Sequence, residues 1–418
     1  MKSLSLILTL LFALVLLFAL AGCTAEEPNE TEPAETEPAA VDEAAKHRTD
    51  RVLSEDYLSV TPSGEHDVRL VFLNVGKGDA ILLRIDGFSW LIDTGVASTV
   101  PVVLGACEEL GVTHLEGIFL THTDNDHIGG LRAVLAEVPV SAVYTSSISE
   151  DWSKIERLRG ETPRIALDPG ETVKAADGVW FDVFGPIRYN PRDDNNSLVL
   201  RLRVNGATLL FTGDMMFDEE KTLMSAGLDL RCDLLKVGHH GKKDATSESF
   251  VLEAGPKIAV ISGNKEEESE AVHKSVVKLL GKAGADVYVT EDYSLGINAV
   301  VKTSGKIELT DYQTTHRRDG VVFDHVSKAD QLVVLRTTTD GDIDLAEWWI
   351  ASRTGNELFE FPAGAVIPAG GTLTVGCTDY DGAPDFRWNE GKVWHKSKED
   401  LAVLIDPWGN TVDTKASE

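Results

Sequence analysis

Hydrophobic and polar positions divide the chain into four stretches of different texture. Residues 4–21, behind Lys2, form an almost unbroken apolar run, the pattern of a secretory leader, although the run approaches the ~20 residues of a membrane span. Between Thr24 and Lys46, Val41 is the only apolar residue larger than alanine or proline. Glutamate, proline and threonine there predict a solvated, extended tether, and the sequence up to Glu65 predicts nothing further. From Val68, short apolar runs bounded by Gly and Asp recur at residues 68–73, 80–85, 89–92, 115–120, 207–212, 233–237 and 258–262, and a helical stretch covers 99–110. That mixture predicts an α/β domain. Beyond Asp311 only strands are expected, at 331–335, 348–350, 357–361, 371–375 and 401–405, with a hairpin-type turn at 406–410, so a separate small β-sandwich follows. The expected domains are thus a leader at 1–23, a linker at 24–65, an α/β domain at 66–312 and a β-sandwich at 320–418.

The candidate chemistry sits where the expected strands end. Asp93-Thr94-Gly95 closes the third run, and the fourth leads into Thr121-His122-Thr123-Asp124-Asn125-Asp126-His127-Ile128-Gly129-Gly130. Two imidazoles and two carboxylates within six residues at one strand end are a metal-ligand pattern, and a solvated surface loop rarely combines them with a diglycine turn. Further strand ends carry Asp214 and the pair His239-His240, and His273 follows the run at 258–262. The turn Gly76-Lys77-Gly78-Asp79 matches neither the phosphate-binding loop nor the dinucleotide fingerprint. Composition narrows the function. The formal charge of −29 opposes sequence-independent wrapping of nucleic acid, while a small phosphorylated substrate held by metal ions remains open. Four scattered cysteines without a CxxC spacing imply neither a disulfide framework nor a zinc ribbon, and Cys107, Cys232 and Cys377 read as small buried apolar residues.

Three resemblances sharpen these expectations. Leu20-Ala21-Gly22-Cys23 resembles the bacterial lipobox, which implies acylation of Cys23 and a chain tethered to the membrane outside the cell. Residues 68–309 resemble the metallo-β-lactamase superfamily, and within it the soluble hydrolase domain of ComEC-type competence proteins. The motifs that carry this are Asn74 to Ala80, Asp93 to Gly95, His122 to His127, Asp194 to Leu200, Thr212 to Asp214 and His239 to Gly241. The resemblance implies an αββα sandwich binding one or two divalent ions, Zn²⁺ or Mn²⁺. His122 and Asp124 would hold one ion and Asp126 and His127 the other, with Asp214 bridging and His273 completing the second site. Asp93 would orient the metal loop, and His239 or His240 would stand beside the leaving group. A histidine common in the superfamily is missing at Asn195-Asn196-Ser197, which favours a hard ion at the first site. Lys77 and Lys242 replace residues usual in the competence family and, with Asn196, are the expected substrate contacts, Lys274 lying near them; a solvated charged rim is the alternative. Residues 320–418 resemble the lamin-tail family, which implies an immunoglobulin-like sandwich and no chemistry.

The function these readings imply is a tethered metallo-hydrolase of phosphodiesters, a nuclease included. Two alternatives stand beside it: hydrolysis of a lactam, lactone or thioester by the same metal chemistry, and a catalytically weak cell-surface binding or scaffolding protein. Trp388, Trp394 and Trp408 either pack in the sandwich or form a patch for a wall polymer or surface protein. No apolar run after Cys23 is long enough to span a bilayer.

Overall fold

The computed structural model describes residues 64–148, 152–395 and 397–418; the leader, Cys23 and most of the linker lie outside the described residues. Strands β1 (Val68–Leu73), β2 (Ile81–Ile85), β3 (Phe88–Ile92), β4 (Gly117–Leu120), β5 (Val143–Ser146) and β6 (Arg164–Leu167) begin one sheet. A second sheet follows from β7 (Thr172–Ala176), β8 (Val179–Gly185), β9 (Val199–Val204), β10 (Ala207–Phe211), β11 (Leu234–Lys236), β12 (Ile258–Ile261) and β13 (Asp286–Val289). The chain then returns with β14 (Gly296–Val301) and β15 (Ile307–Asp311), giving orders β15-β14-β1-β2-β3-β4-β5-β6 and β13-β12-β11-β10-β9-β8-β7.

Three buried clusters fix the layers. Alternate residues of β1 and β10, among them Leu70, Phe72, Leu209 and Phe211, meet between the two sheets. Their neighbours in the chain point the other way. Val71 and Leu73 lie with Val103 and Ala106 of α1 (Val100–Glu109), Ile128 of α2 (Asn125–Ile128) and Leu131 of α3 (Leu131–Glu137). On the other outer face, Leu210 packs with Leu223 of α5 (Phe217–Ser225), Phe250 of α6 (Glu248–Ala254) and Leu280 of α7 (Lys274–Lys282); α4 (Trp152–Leu158) belongs to the first side, through Ile155. The expected αββα arrangement is therefore borne out, and it explains why these strands read as continuous apolar runs: both faces are covered.

The C-terminal region is the expected sandwich. One sheet joins Val321–Ser327, Leu332–Thr337, Thr372–Cys377 and Phe386–Trp388, and the other joins Leu358–Glu360, Trp349–Ser352, Leu401–Ile405 and Thr411–Ala416. Trp348, Trp388 and Trp394 lie in the core between them, the last two edge to face at 5.9 Å. This excludes Trp388 and Trp394 from any surface patch. Trp408 is half-buried, stacked on His316 at 5.1 Å. Ala351, Val403 and Ile405 form a separate small cluster on the second sheet and, with Ser98 and Val102 of the α/β domain, line a cavity of about 80 Å³ where the two domains meet. Cys107, Cys232 and Cys377 are buried free thiols. Among the described residues, no helix is long and apolar enough to cross a membrane.

Candidate metal centre

Every residue of the site hangs from the end of a buried strand or the loop beside one. Asp93, directly after β3, adopts φ 57° and aims both carboxylate oxygens across to the loop after β4. Oδ1 accepts from the Thr121 amide and Oδ2 accepts from Thr121 Oγ1, each at 2.8 Å, and Oδ2 also lies 2.8 Å from His127 Nδ1. These bonds set the tautomers. His127 donates from Nδ1 to Asp93, so its Nε2 is bare. The single Thr121 hydroxyl proton goes to Asp93, so Oγ1 accepts from His122 Nδ1 at 3.1 Å, and His122 Nε2 is bare as well. His240 Nδ1 donates to the Ser262 carbonyl at 3.0 Å, with the same result. Three imidazoles thus present lone pairs to one space, the condition for holding a metal ion.

Carboxylates close two pockets around those nitrogens. His122, Asp124 and Asp194 converge as one group, and Asp126, His127 and His240 as another. Asp214 stands between, its Oδ2 lying 4.0 Å from His122 Nε2, 3.4 Å from His127 Nε2 and 3.1 Å from His240 Nε2. His122 Nε2, His127 Nε2, His240 Nε2 and Asp214 Oδ1 are buried and make no hydrogen bond within the protein. Orphaned polar atoms of this kind are costly to bury. Divalent ions in the two pockets would satisfy them, and the donor set of nitrogen and carboxylate oxygen fits such ions. The electrostatics agree. Burial opposes the Asp214 charge, but His240 and His127 outweigh it and hold the carboxyl well below the usual range. Burial likewise opposes charge on His127, where Asp214 and Asp93 prevail and raise the pKa well above the ordinary value, so without an ion a proton takes the Nε2 lone pair from which a divalent ion would displace it.

The backbone is bent to make this possible. His239 and His240 both lie in the left-handed region, at φ 46° and 52°, which costs roughly 1–2 kcal/mol per non-glycine residue. The double turn separates the two rings. His240 enters the second pocket, whereas His239 stands at the mouth, with Nδ1 2.9 Å from Asp244 Oδ1 and Nε2 3.0 Å from Lys242 Nζ. Gly78 is required by close approach, since a side chain there would collide with the Asp126 carbonyl. Beside it, Asp79 forms a fully buried ion pair with Lys236 at 2.7 Å and lies 3.6 Å from His240 Nδ1.

Two expectations need correction. His273 does not join the metal ligands: it caps α7, its Nδ1 engaged with Ser275, and lines a separate cavity of about 210 Å³ with Lys242, Lys243 and Asp244. His240 holds the place expected of it, because the left-handed turn brings that ring to Asp126 and Asp214. Asn196 is not a substrate contact either. It is completely buried, and its amide is spent on Asn190 and Asp193 in the preceding loop. Asp194 was missed, and it occupies the side of the first pocket where the absent histidine was sought; its signal was a carboxylate in the very turn that was searched for an imidazole. Lys242 is drawn to the mouth, paired with Glu268 at 2.8 Å. Lys77 is half-buried on the adjoining turn. Asp93, His122, Asp124, Asp126, His127 and Asp214 all meet at the centre.

Comparisons with known proteins agree with this geometry. Residues 73–263 match the model of the metallo-beta-lactamase superfamily, and residues 301–417 match that of the lamin tail domain. ComE operon protein 3 of Bacillus subtilis (strain 168) is 32% identical over 259 residues, 56% of this chain and 33% of that protein. Competence protein ComA of Neisseria gonorrhoeae is 31% identical over 216 residues, 50% of this chain and 29% of that one. Exodeoxyribonuclease YycJ of Bacillus anthracis is 28% identical over 139 residues, 31% of this chain and 52% of that one. The chain thus spans about a third of the length of the two competence relatives. It joins a domain of the metallo-beta-lactamase superfamily, whose members are metal-dependent hydrolases, to a lamin tail domain.

Proposed function

We propose that this protein is a metal-dependent phosphodiesterase, a nuclease included, held outside the cell by a lipid on Cys23. The observation that carries the reading is the pair of pockets sharing Asp214, with His239 and Lys242 at their common mouth. His122, Asp124 and Asp194 would hold one divalent ion and Asp126, His127 and His240 a second, with Asp214 between them, and such ions would supply Lewis acidity and lower the pKa of water toward neutral pH. One imidazole and three carboxylates around the first pocket favour a hard ion such as Mn²⁺, while two imidazoles and two carboxylates around the second suit Zn²⁺ or Mn²⁺. Asp93, Thr121 and the Ser262 carbonyl keep the three ligand imidazoles in the tautomer that binds.

The remaining roles fall to the mouth. Lys242 stays protonated: burial opposes its charge, but Glu268 outweighs burial and raises the pKa. Its ammonium binds a non-bridging phosphoryl oxygen as a point charge. His239, oriented by Asp244 at Nδ1, accepts from the Lys242 ammonium at Nε2 and so fixes that ammonium beside the two pockets. Arg192, 3.6 Å from Asp244 and 4.0 Å from Asp194, and Lys154, bonded to the Thr123 carbonyl, add positive charge at the rim of an otherwise acidic protein. The similarity of 31% of this chain to an exodeoxyribonuclease of Bacillus anthracis supports the same bond type.

The test is hydrolysis of a bis-aryl phosphodiester and of single-stranded DNA with Mn²⁺ or Zn²⁺, beside a chromogenic lactam and a thioester. Phosphodiester turnover lost in Asp126→Ala is the expected result; turnover of the lactam or thioester alone, with metal bound, refutes the assignment. For the anchor, palmitate labelling in a bacterial host is expected on the wild type and absent from Cys23→Ser. Equal labelling of the two, or none on either, removes the lipid from the proposal.

A further inference from the structure

The loop at residues 264–273 touches three parts of the molecule at once. Its first half is self-supporting: the Asn264 side chain accepts from the Glu266 and Glu267 amides, at 2.9 and 3.2 Å, and the Asn264 carbonyl accepts from the Glu268 amide. Its second half is tied to the centre, because the Val272 and His273 amides donate to the carbonyls of His240 and Gly241 at 2.8 and 2.9 Å. Two successive glutamates then point in different directions. Glu268 holds Lys242. Glu267 accepts from the Lys77 amide at 3.0 Å through Oε2 and fills the space over Gly76, where a side chain would clash with its carboxylate.

The other oxygen of Glu267 is bound by Arg353, which belongs to the lamin tail domain. Arg353 does not hang from a loose loop. Its amide donates to the Leu401 carbonyl, and its turn is held by Asp400, which accepts from the Thr354 amide at 3.0 Å and from Ser352 Oγ. From the same turn Asn356 reaches Ser98, just past the Asp93 strand end, at 3.2 Å. One turn of the C-terminal sandwich therefore grips the hydrolase on both sides of the Gly76-Lys77 turn.

We infer that the lamin tail domain builds part of the hydrolase's rim, with Arg353 as a positioning residue that sets the 264–268 loop through Glu267 and thereby holds Lys242 in place. The loop follows the sandwich, and the substrate-facing ammonium follows the loop. The step from Lys242 to substrate affinity rests on the phosphodiesterase reading above; the brace itself does not.

The experiment compares full-length wild type, Arg353→Ala, Arg353→Lys and Glu267→Gln. Hydrogen–deuterium exchange of metal-free protein is expected to be about three- to fivefold faster at residues 264–271 in Arg353→Ala and Glu267→Gln, the size set by one partly exposed ion pair. Exchange at residues 121–128 stays as in wild type, and Arg353→Lys restores most of the protection. On the phosphodiester reporter, KM rises by a similar factor while kcat holds. Unchanged exchange at 264–271 overturns the brace. Faster exchange with an unmoved KM overturns the link to Lys242. Absence of phosphodiester turnover in the wild type refutes the proposed reaction alone, and the exchange comparison then decides the brace.

Discussion

Each domain buries a carboxylate almost completely, and the two are used in opposite ways. Asp406 of the lamin tail domain is fully covered and accepts from the amides of Arg318, Trp408 and Asn410 and from the Asn410 side chain, all at about 3 Å. Asp214 is 3% exposed, yet one of its oxygens has no donor, and the other faces the bare nitrogens of three histidines. The first carboxylate is satisfied by the chain that surrounds it and holds a turn together. The second is left for something the chain does not supply. Burial alone therefore says nothing about function; what separates a structural acid from a ligand is whether its partners are donors or lone pairs. The same contrast runs through the two domains. Among the described residues, every group able to hold a metal lies in the hydrolase domain.

The largest test of this contrast is Asp214→Asn. Losing the shared ligand should lower kcat by about 10³-fold or more, an effect of roughly 4 kcal/mol on the barrier, with loss of bound metal seen by elemental analysis. Retention of both metal and rate would place Asp214 with the structural acids. Asp406→Ala should do the reverse, costing about 3 kcal/mol of stability in urea titrations, because it strands several buried amides, while the folded protein keeps its metal content. Loss of metal there would break the comparison.

The smallest effect concerns Glu219, a buried acid outside the metal-ligand groups. It accepts from the Ile187 amide at 2.7 Å, and burial pushes its pKa up to about 8. Because the folded state holds this proton more tightly than the unfolded state, stability is complete below the ordinary carboxyl value and falls as pH rises toward 8. Glu219→Gln removes that loss, so its stability relative to wild type should grow by on the order of 2 kcal/mol between pH 5 and pH 6.5. A pH-independent difference would show that Glu219 is charged in the folded protein.

Much of the fold was legible because its signals are local. Apolar runs near residues 68, 81, 89, 117, 207, 234 and 258 became strands, and the helix expected at 99–110 spans Val100–Glu109. The strands at Val143–Ser146, Arg164–Leu167 and Thr172–Ala176 were not read, since exposed and polar positions interrupt them and only pairing with neighbours makes them sheet. In the site, His122, Asp124, Asp126 and His127 stand within six residues and declare themselves by spacing. His273 misled because a lone histidine after a strand looks the same whether it caps a helix or binds a metal.

What the sequence determined by itself was therefore the strands written as apolar runs, the local ligand cluster and the two-domain order, all properties of neighbours along the chain. The tertiary structure alone decided that Asp194 and His240 complete the centre, arriving from loops separated by tens of residues, and that the buried pair of Asp79 and Lys236 spans both sheets. It also decided that Arg353, 86 residues from Glu267, belongs to the rim of the hydrolase. No spacing rule reaches that far, because the contact exists only once two separately folded cores have docked.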